Sequence, residues 1–289
     1  MHMVNTSPIL ISGATGREAT RLLISRGLSV RALVHTRDER SERLAHLGAD
    51  VVVGDLLDVR AVQRAWDGMK RGYFVYPMRP GLVQAAAYFL QGALDAGAEF
   101  IVNMSQRTAQ ANAQSDAALQ HWLTERLFDR AWIGVAHLQP TIFHDWLLYM
   151  RGQIREGRYH VPFDPEGRFA PVASEDQACV IAAILADPGS HVGQTYQLTG
   201  PEELTAPDIA RIATEALGHE VSYARISGEQ WVGNLHGIKA PYLAQHLDGI
   251  AQIQAQGGMA GQNDTIERIA GIRPMSTAQF IEKHRAAFQ

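Results

Sequence analysis

Cysteine, lysine and long apolar runs are what this chain has least of. Cys179 is the one thiol in 289 residues, so no disulfide can close inside the chain. Its setting in ACVIAAILA reads as a buried helical thiol in a reducing compartment. No stretch reaches the roughly 18 uninterrupted apolar residues of a membrane helix, and no charged n-region leads into an apolar h-region. The expectation is a cytoplasmic protein without a membrane partner. Net charge is −4 with the basic residues scattered, which gives no support to nucleic-acid binding by phosphate neutralisation. The twelve histidines are dispersed. His137 and His144 flank one apolar segment without ligand spacing, so no metal site is expected. Neither a G-x-S-x-G elbow nor a P-loop occurs. What remains is 46% hydrophobic and 19% charged, enough apolar mass for a core in one α/β domain or a domain plus a lobe.

The most informative segment present is ILISGATGR, residues 9–17. An apolar run meets a glycine turn and then a helix with Ala19, Leu22 and Leu23 at helical spacing and Gly27 as its stop. Gly13, Gly16 and Ala19 give G-x-x-G-x-x-A. Two glycines let the backbone approach a pyrophosphate, whose charge meets helix N–H groups, and a small third residue lets helix and strand pack closely. A plain strand–turn–helix is the alternative.

The first half then alternates as a doubly wound parallel sheet does. Strands are expected at 9–12, 29–34, 49–55, 71–77, 99–105 and 132–140, with helices between them at 37–48, 58–66, 82–96 and 115–130. After Pro140 the rhythm loosens. TIFHDWLLYMRGQIREG reads as a helix, FDPEGRFAP as turns, 175–186 as an apolar helix, QTYQLTG and SYARIS as strands, and APDIARIATEALG as a helix. A Rossmann-like domain over 4–140 and a smaller α/β lobe over 141–289 are expected, with interleaving of the chain allowed and the lobe over the carboxyl edge of the sheet.

An NAD site places an acid at the end of the second strand. Here His35, Thr36 and Arg37 stand there, with Asp38 and Arg40 later. An imidazolium or guanidinium suits a 2′-phosphate, so NADP is favoured and NAD stays open. Arg37 and Arg40 can equally belong to a solvated helix start. Asp55 and Leu56 stand where an adenine would lie, Asp55 having helix capping as its other role. Short-chain dehydrogenases use a Tyr and a Lys four apart. The three lysines, Lys70, Lys239 and Lys283, follow Trp66, Leu235 and Gln279 at that spacing, so the pair is missing. Ser105, at a strand end, and His121 with Glu125, four apart on one helix face, are the candidate catalytic residues. The alternative for the last two is an ordinary i,i+4 pair. Asn103 beside Ser105 fits a strand end near a nicotinamide. Phe143, Trp146 and Tyr149 are candidates for an apolar substrate pocket, with core packing as the rival role.

The segments ILISGATGREATRLL, VRALVHTRDE, ADVVVGDLLD, YFVYP, HWLTERL, HLQPTIF, SEDQACVIAAIL, GQTYQLTGPEELTAPDIARIATEALG and RPMSTAQFIEKH together resemble the NmrA-like family of atypical short-chain dehydrogenases. That family holds quinone oxidoreductases and redox-sensing regulators, and the likeness covers nearly the whole chain. By this resemblance the phosphates meet Gly13, Ala14, Thr15, Gly16 and Arg17, and the 2′-phosphate meets His35 with Arg37 nearby. The adenine meets Asp55 and Leu56, and the nicotinamide side meets Tyr76, Pro77, Ser105 and Pro140. Relatives commonly carry Arg at the place of His35. The expected activity is NAD(P)H-dependent hydride transfer to a small or flat apolar acceptor, such as a quinone or conjugated carbonyl. The alternatives are a non-catalytic dinucleotide sensor that binds a protein partner and a tailoring reductase or oxygenase for an aromatic natural product. A homodimer is possible on this reading.

Overall fold

The computed structural model describes residues 7–13, 16–235 and 240–289. In chain order β1 (Ile9–Ser12), α1 (Gly16–Ser25), β2 (Val30–Val34), α2 (Glu39–His46), β3 (Asp50–Val53), α3 (Val59–Trp66), β4 (Arg71–Phe74), α4 (Leu82–Asp95), β5 (Phe100–Met104), α5 (Asp116–Asp129) and β6 (Gly134–Pro140) alternate without exception. There follow α6 (Trp146–Tyr149), α7 (Arg151–Arg155), β7 (Arg158–Val161), α8 (Ser174–Ala186), β8 (Gln194–Leu198), α9 (Ala206–Leu217) and β9 (Ser222–Arg225). The last five are α10 (Gly228–Gly233), α11 (Pro241–Ala255), α12 (Thr265–Ala270), α13 (Thr277–Lys283) and α14 (Arg285–Phe288). Two compact units interleave along the chain: 1–105, 120–138 and 178–196 form the first, and 106–119, 139–177 and 197–289 the second.

Seven strands make one sheet in the order β3-β2-β1-β4-β5-β6-β8. The pairs from β3 through β6 are parallel, with Ile9 opposite both Val30 and Arg71 and Phe100 opposite Gly134. Strands β1, β4 and β5 are buried along their whole length. Their residues are mostly apolar, as strands covered on both faces require, with Ser12, Arg71 and Asn103 as the buried polar members. The chain winds outward through β1, β2 and β3, then returns to the other side of β1 with β4. That reversal opens a crevice between β1 and β4, where folds of this type hold ligands.

The helices begin where short polar side chains can take up free N–H groups. The Asp38 side chain accepts from Arg40 and Ser41 N–H ahead of α2, and Asp58 from Arg60 and Ala61 ahead of α3. In α3, Ala61, Val62, Ala65 and Trp66 recur at helical spacing and are buried. Trp66 meets Phe89 edge-on at 4.9 Å, and Phe74 bridges Phe89 and Phe128 at 5.1 and 5.6 Å. Each such side chain contributes roughly 1.5–3 kcal/mol by leaving water. Gly92 makes room for the indole, since a Cβ there would stand 2.7 Å from Trp66 Cδ1.

The second unit has its own core, with Leu147, Met150, Tyr159, Trp231, Leu247 and Phe280 among its members. Three features depart from the sequence reading. The expected helix after Pro140 is shorter and broken. Val172 N–H donates to Ile142 C=O and His144 N–H to Val172 C=O, so residues 142–144 are spent on strand-like pairing and helix starts only at Trp146. The sequence pattern assigns no element to 158–162, yet Arg158–Val161 pairs in parallel with Ser222–Arg225 as a two-stranded sheet. Cys179 is half-buried on α8 rather than fully enclosed.

Candidate dinucleotide site at the strand ends

The corner between β1 and α1 requires glycine twice. Gly13 has φ 75, a left-handed value that costs other residues about 1–2 kcal/mol. A Cβ on it would overlap Val75 Cγ1, and one on Gly16 would overlap Ile11 Cγ2. Gly16 N–H donates to Gly13 C=O at 3.3 Å and closes the turn. Ser12, fully buried, donates to Tyr73 C=O at 2.9 Å and accepts from Val75 N–H at 3.3 Å, tying the end of β1 to β4. The crevice at the strand reversal therefore has a fixed floor. Ala14 and Thr15, also expected in the cradle, lie outside the described residues. Arg17 is exposed in the first turn of α1 and has no hydrogen bond or ion pair among the described residues. A cation at the positive end of a helix is unfavourable by itself. It becomes favourable when an anion sits on the same N–H groups, so the corner fits a pyrophosphate.

Beyond β2 and β3 two expected site residues come together. His35 Nδ1 lies 3.6 Å from Asp55 Oδ2, and both side chains reach solvent. The other oxygen of Asp55 accepts from Leu57 N–H at 2.9 Å, with Leu56 half-buried in that turn. Arg37 is taken by Glu42 at 2.9 Å. Arg40 is taken by Asp38 at 2.6 Å and holds that carboxyl below the usual carboxylate range. The alternative role of Arg37 and Arg40, a solvated helix start, is thus what the side chains make among themselves.

After β4, Tyr76 is buried and donates its hydroxyl to Pro80 C=O at 3.2 Å. The Arg79 guanidinium covers its ring at 5.3 Å, and Pro77 is exposed beside it. After β5, Ser105 N–H extends the ladder to Leu138 C=O at 2.7 Å. Its hydroxyl is buried and has no hydrogen-bond partner among the described residues. A buried hydroxyl left alone costs about 1–3 kcal/mol, so Ser105 is poised for a partner that arrives from outside.

Helix α5 explains why its sequence looked ambiguous. Its buried stripe is Ala117, Ala118, His121, Thr124, Glu125 and Phe128, at the spacing of one helical face. Phe128 meets Phe74 of β4, so this stripe faces the sheet, and three of its six residues are polar. Glu125 lies 3.7 Å from Arg126, which pairs with Asp129 at 2.8 Å, and Asp129 meets His137 Nε2 at 2.9 Å. An ionised carboxylate only accepts, so Nε2 carries the proton. Nδ1 then accepts from the Asn103 amide at 3.0 Å. This chain, buried only at its Glu125 and His137 ends, carries no signal in the sequence, where His137 and Asp129 are eight apart and share no element.

Four expected residues belong to the second unit. Pro140 ends β6 and accepts from Arg107 N–H at 3.1 Å. Phe143 and Trp146 line an apolar cavity of about 20 Å³ together with Leu147, Met150 and Phe169. That volume holds about one water molecule, not an aromatic ring. Trp146 is engaged with Trp231 at 5.4 Å, and Tyr149 is 64% exposed, outside the cavity. Among the described residues no cluster of His, Cys, Asp and Glu is arranged for a metal, and no helix is long and apolar enough to cross a membrane.

Residues 5–275 match the NmrA-like family. The chain belongs to that family. It is 31% identical to an NAD(P)H azoreductase of Xenophilus azovorans, over 97% of this chain and 99% of that protein. Among solved structures, an NADPH-dependent quinone oxidoreductase of Escherichia coli in complex with NADPH superposes with a TM-score of 0.81 at 21% identity. The match covers 96% of this chain and 99% of that one. NmrA, a negative transcriptional regulator in complex with NAD, superposes with a TM-score of 0.79 at 17% identity, covering 96% and 95%. This NmrA-like chain therefore shares its fold with both reductases and a regulator.

Proposed function

We propose that this NmrA-like protein is an NAD(P)H-dependent oxidoreductase that reduces a small or flat apolar acceptor of the quinone, azo or conjugated-carbonyl type. The observation that carries the reading is the β1–α1 corner, where two glycines leave no room for a Cβ and Arg17, in the first turn of α1, is exposed and has no ion pair among the described residues. The identity to an NAD(P)H azoreductase over almost the full length supports the choice of chemistry. A bound reduced nicotinamide supplies hydride, and the chain's own residues do the rest. The amides of the corner and Arg17 hold the pyrophosphate, and His35 faces the ribose 2′ substituent with Arg37 nearby. Asp55 and Leu56 flank the adenine, and Tyr76, Pro77 and Pro140 flank the nicotinamide side. Ser105 donates its hydroxyl to the acceptor's oxygen or nitrogen. His121, oriented by Glu125, provides a proton at its imidazole. Hydride transfer depends on orientation more than on acid strength, so the missing Tyr–Lys pair does not bar it. Phe143, Trp146 and Tyr149 remain candidates for the acceptor's apolar contacts.

A second reading, a dinucleotide sensor that signals to a protein partner, draws support from the same missing pair, since α5 carries His121 and Glu125 where a Tyr and Lys would be sought. The deciding experiment mixes the protein with NADPH or NADH and a panel of quinones and azo dyes and follows the loss of reduced-nucleotide absorbance. Turnover with at least one acceptor is expected. Tight dinucleotide binding with no turnover across the panel would favour the sensor.

A further inference from the structure

We propose that Asp129 and His137 fix the direction of a hydrogen-bond line that runs through Asn103 and one buried water to Ser105, leaving the Ser105 hydroxyl to donate its hydrogen bond outward to the acceptor. The inference rests on the reductase reading above. Ser105 alone touches the acceptor; Asp129, His137 and Asn103 are positioning residues. Phe74, Asn103 and His137 lie in register across β4, β5 and β6. Phe128 meets Phe74 and Asp129 meets His137, so the end of α5 covers this row. Ser105 is two residues beyond Asn103 on the same strand face, roughly 7 Å further on. Because α5 leads from the end of β5 back to the start of β6, Thr124, one turn before Phe128, lies over the Ser105 end. Asn103 Oδ1, Ser105 Oγ and Thr124 Oγ1 are buried and have no hydrogen-bond partner among the described residues. Each belongs to a residue no more than 3% exposed, so bulk water does not satisfy it.

The direction is set at the far end. The Asp129 carboxylate only accepts, so His137 Nε2 donates to it at 2.9 Å and Nδ1 is left as an acceptor. Nδ1 takes an N–H of the Asn103 amide at 3.0 Å, which leaves the amide oxygen, a group that only accepts, as the next member of the line. A water about 2.8 Å from each of two partners bridges about 5 Å, and buried waters typically join about three otherwise unsatisfied groups. One water here donates to Asn103 Oδ1 and to Ser105 Oγ and accepts from the Thr124 hydroxyl. The Ser105 oxygen is then occupied, and its own O–H is free for the acceptor's oxygen or nitrogen. With Nδ1 protonated instead, the amide turns round and no longer offers its oxygen to the water. The water is then not held with a proton toward Ser105, and the hydroxyl loses its fixed direction.

The test reads the tautomer and the rate separately. Nitrogen NMR of protein labelled at its histidines, with the His137 signals assigned by their loss in H137Q, should show the native proton on Nε2. D129N gives the imidazole an amide N–H to accept and should move the proton to Nδ1. It should leave the NADPH dissociation constant within about twofold and slow single-turnover reduction of the best acceptor roughly tenfold or more. D129E, which restores the carboxylate, should return both tautomer and rate toward the native values. A crystal structure with NADPH should show one ordered water within hydrogen-bond distance of Asn103 Oδ1 and Ser105 Oγ. A native proton on Nδ1, the lack of that water, or a D129N variant that keeps either the native tautomer or the native rate would overturn the proposal while leaving the reductase reading intact. No turnover by the native protein with any acceptor would instead remove the reductase reading, and the purpose of the line with it.

Discussion

Replacing Gly13 with Ala tests the corner from which every other assignment is measured. Gly13 has φ 75, which an L side chain holds at about 1–2 kcal/mol. The new methyl would also overlap Val75 Cγ1 and stand 3.4 Å from Val75 O. Overpacking against a β-branched side chain of this kind costs about 1–3 kcal/mol. The sum, about 2–5 kcal/mol, is relieved by swinging the turn away from β4, which would move the amides proposed to face the pyrophosphate. Since each 1.4 kcal/mol is about tenfold in affinity, dinucleotide binding should weaken by roughly a hundredfold or more. Gly27 supplies the control. Its φ of 78 is nearly the same, but nothing lies within 4 Å of its Cβ position. Gly27→Ala should lower the melting temperature by a few degrees and leave nucleotide affinity unchanged. Calorimetric titration with NADPH and NADH, paired with thermal unfolding of both variants, reads the difference. Gly13→Ala binding as tightly as the native chain would refute the reasoning, and so would equal loss of binding in both variants.

Ser105→Ala should leave the dinucleotide dissociation constant within about twofold while lowering turnover of the best acceptor roughly tenfold or more, the loss of one donor aimed at the reacting group; single-turnover absorbance traces separate the two. Gly92→Ala, in the last turn of α4, should destabilise the fold although Ala is the better helix former by about 1 kcal/mol, because its methyl meets Trp66 at 2.7 Å. Gly152→Ala in α7 has open space around it and should be neutral or slightly stabilising when both variants are unfolded in urea. Asp176 is pushed up to about 6 by burial, against the hydrogen bond its carboxylate accepts from Met275 N–H. The folded state then holds more protons than the unfolded one between about pH 3.9 and 6, so this group's contribution to stability falls as pH rises through that window. Asp176→Asn should abolish that slope. His144 and His246, kept neutral by burial down to about 3 and about 4, lose stability as pH falls and oppose it. The difference between native and variant unfolding midpoints is therefore what counts, and an unchanged slope in the variant would contradict the assignment.

The architecture was legible because parallel sheets print themselves in sequence. Strands buried on both faces, such as FIVNM in β5, are apolar at all but one position, here Asn103, and capped amphipathic helices separate them. The order of residues at the carboxyl edge followed directly from those strand ends. The second unit was harder. Its β7 is four residues long and pairs with a strand more than sixty positions later, a signal no local pattern carries. The helix expected after Pro140 was displaced by pairing of residues 142–144 with Val172, a tertiary claim on backbone groups that outweighs helix propensity. At the site, the sequence named His35 and Asp55 separately. It could not bring them to 3.6 Å, because that distance depends on the twist and register of β2 against β3.

Helix α5 shows why candidate catalytic residues are harder to read from sequence than candidate cofactor residues. A helix packed on a sheet should present an apolar stripe, and Phe128 does so against Phe74. One turn and two turns earlier the same stripe carries Thr124 with Glu125, and His121, all buried. Apolar residues of similar size would leave no buried polar atoms to satisfy, so stability gives no reason for this choice. Local rules broken without a packing gain are where function is expected. The polar stripe is also why the helix lacked clear amphipathic periodicity in the sequence: its interior face is chemically mixed. The same departure that blurred the helix is thus the argument that α5 serves the reaction at the end of β5. Exchanging His121, Thr124 and Glu125 together for apolar residues of matching volume should keep or raise the melting temperature and abolish turnover. A variant that kept its turnover would return α5 to a purely structural role.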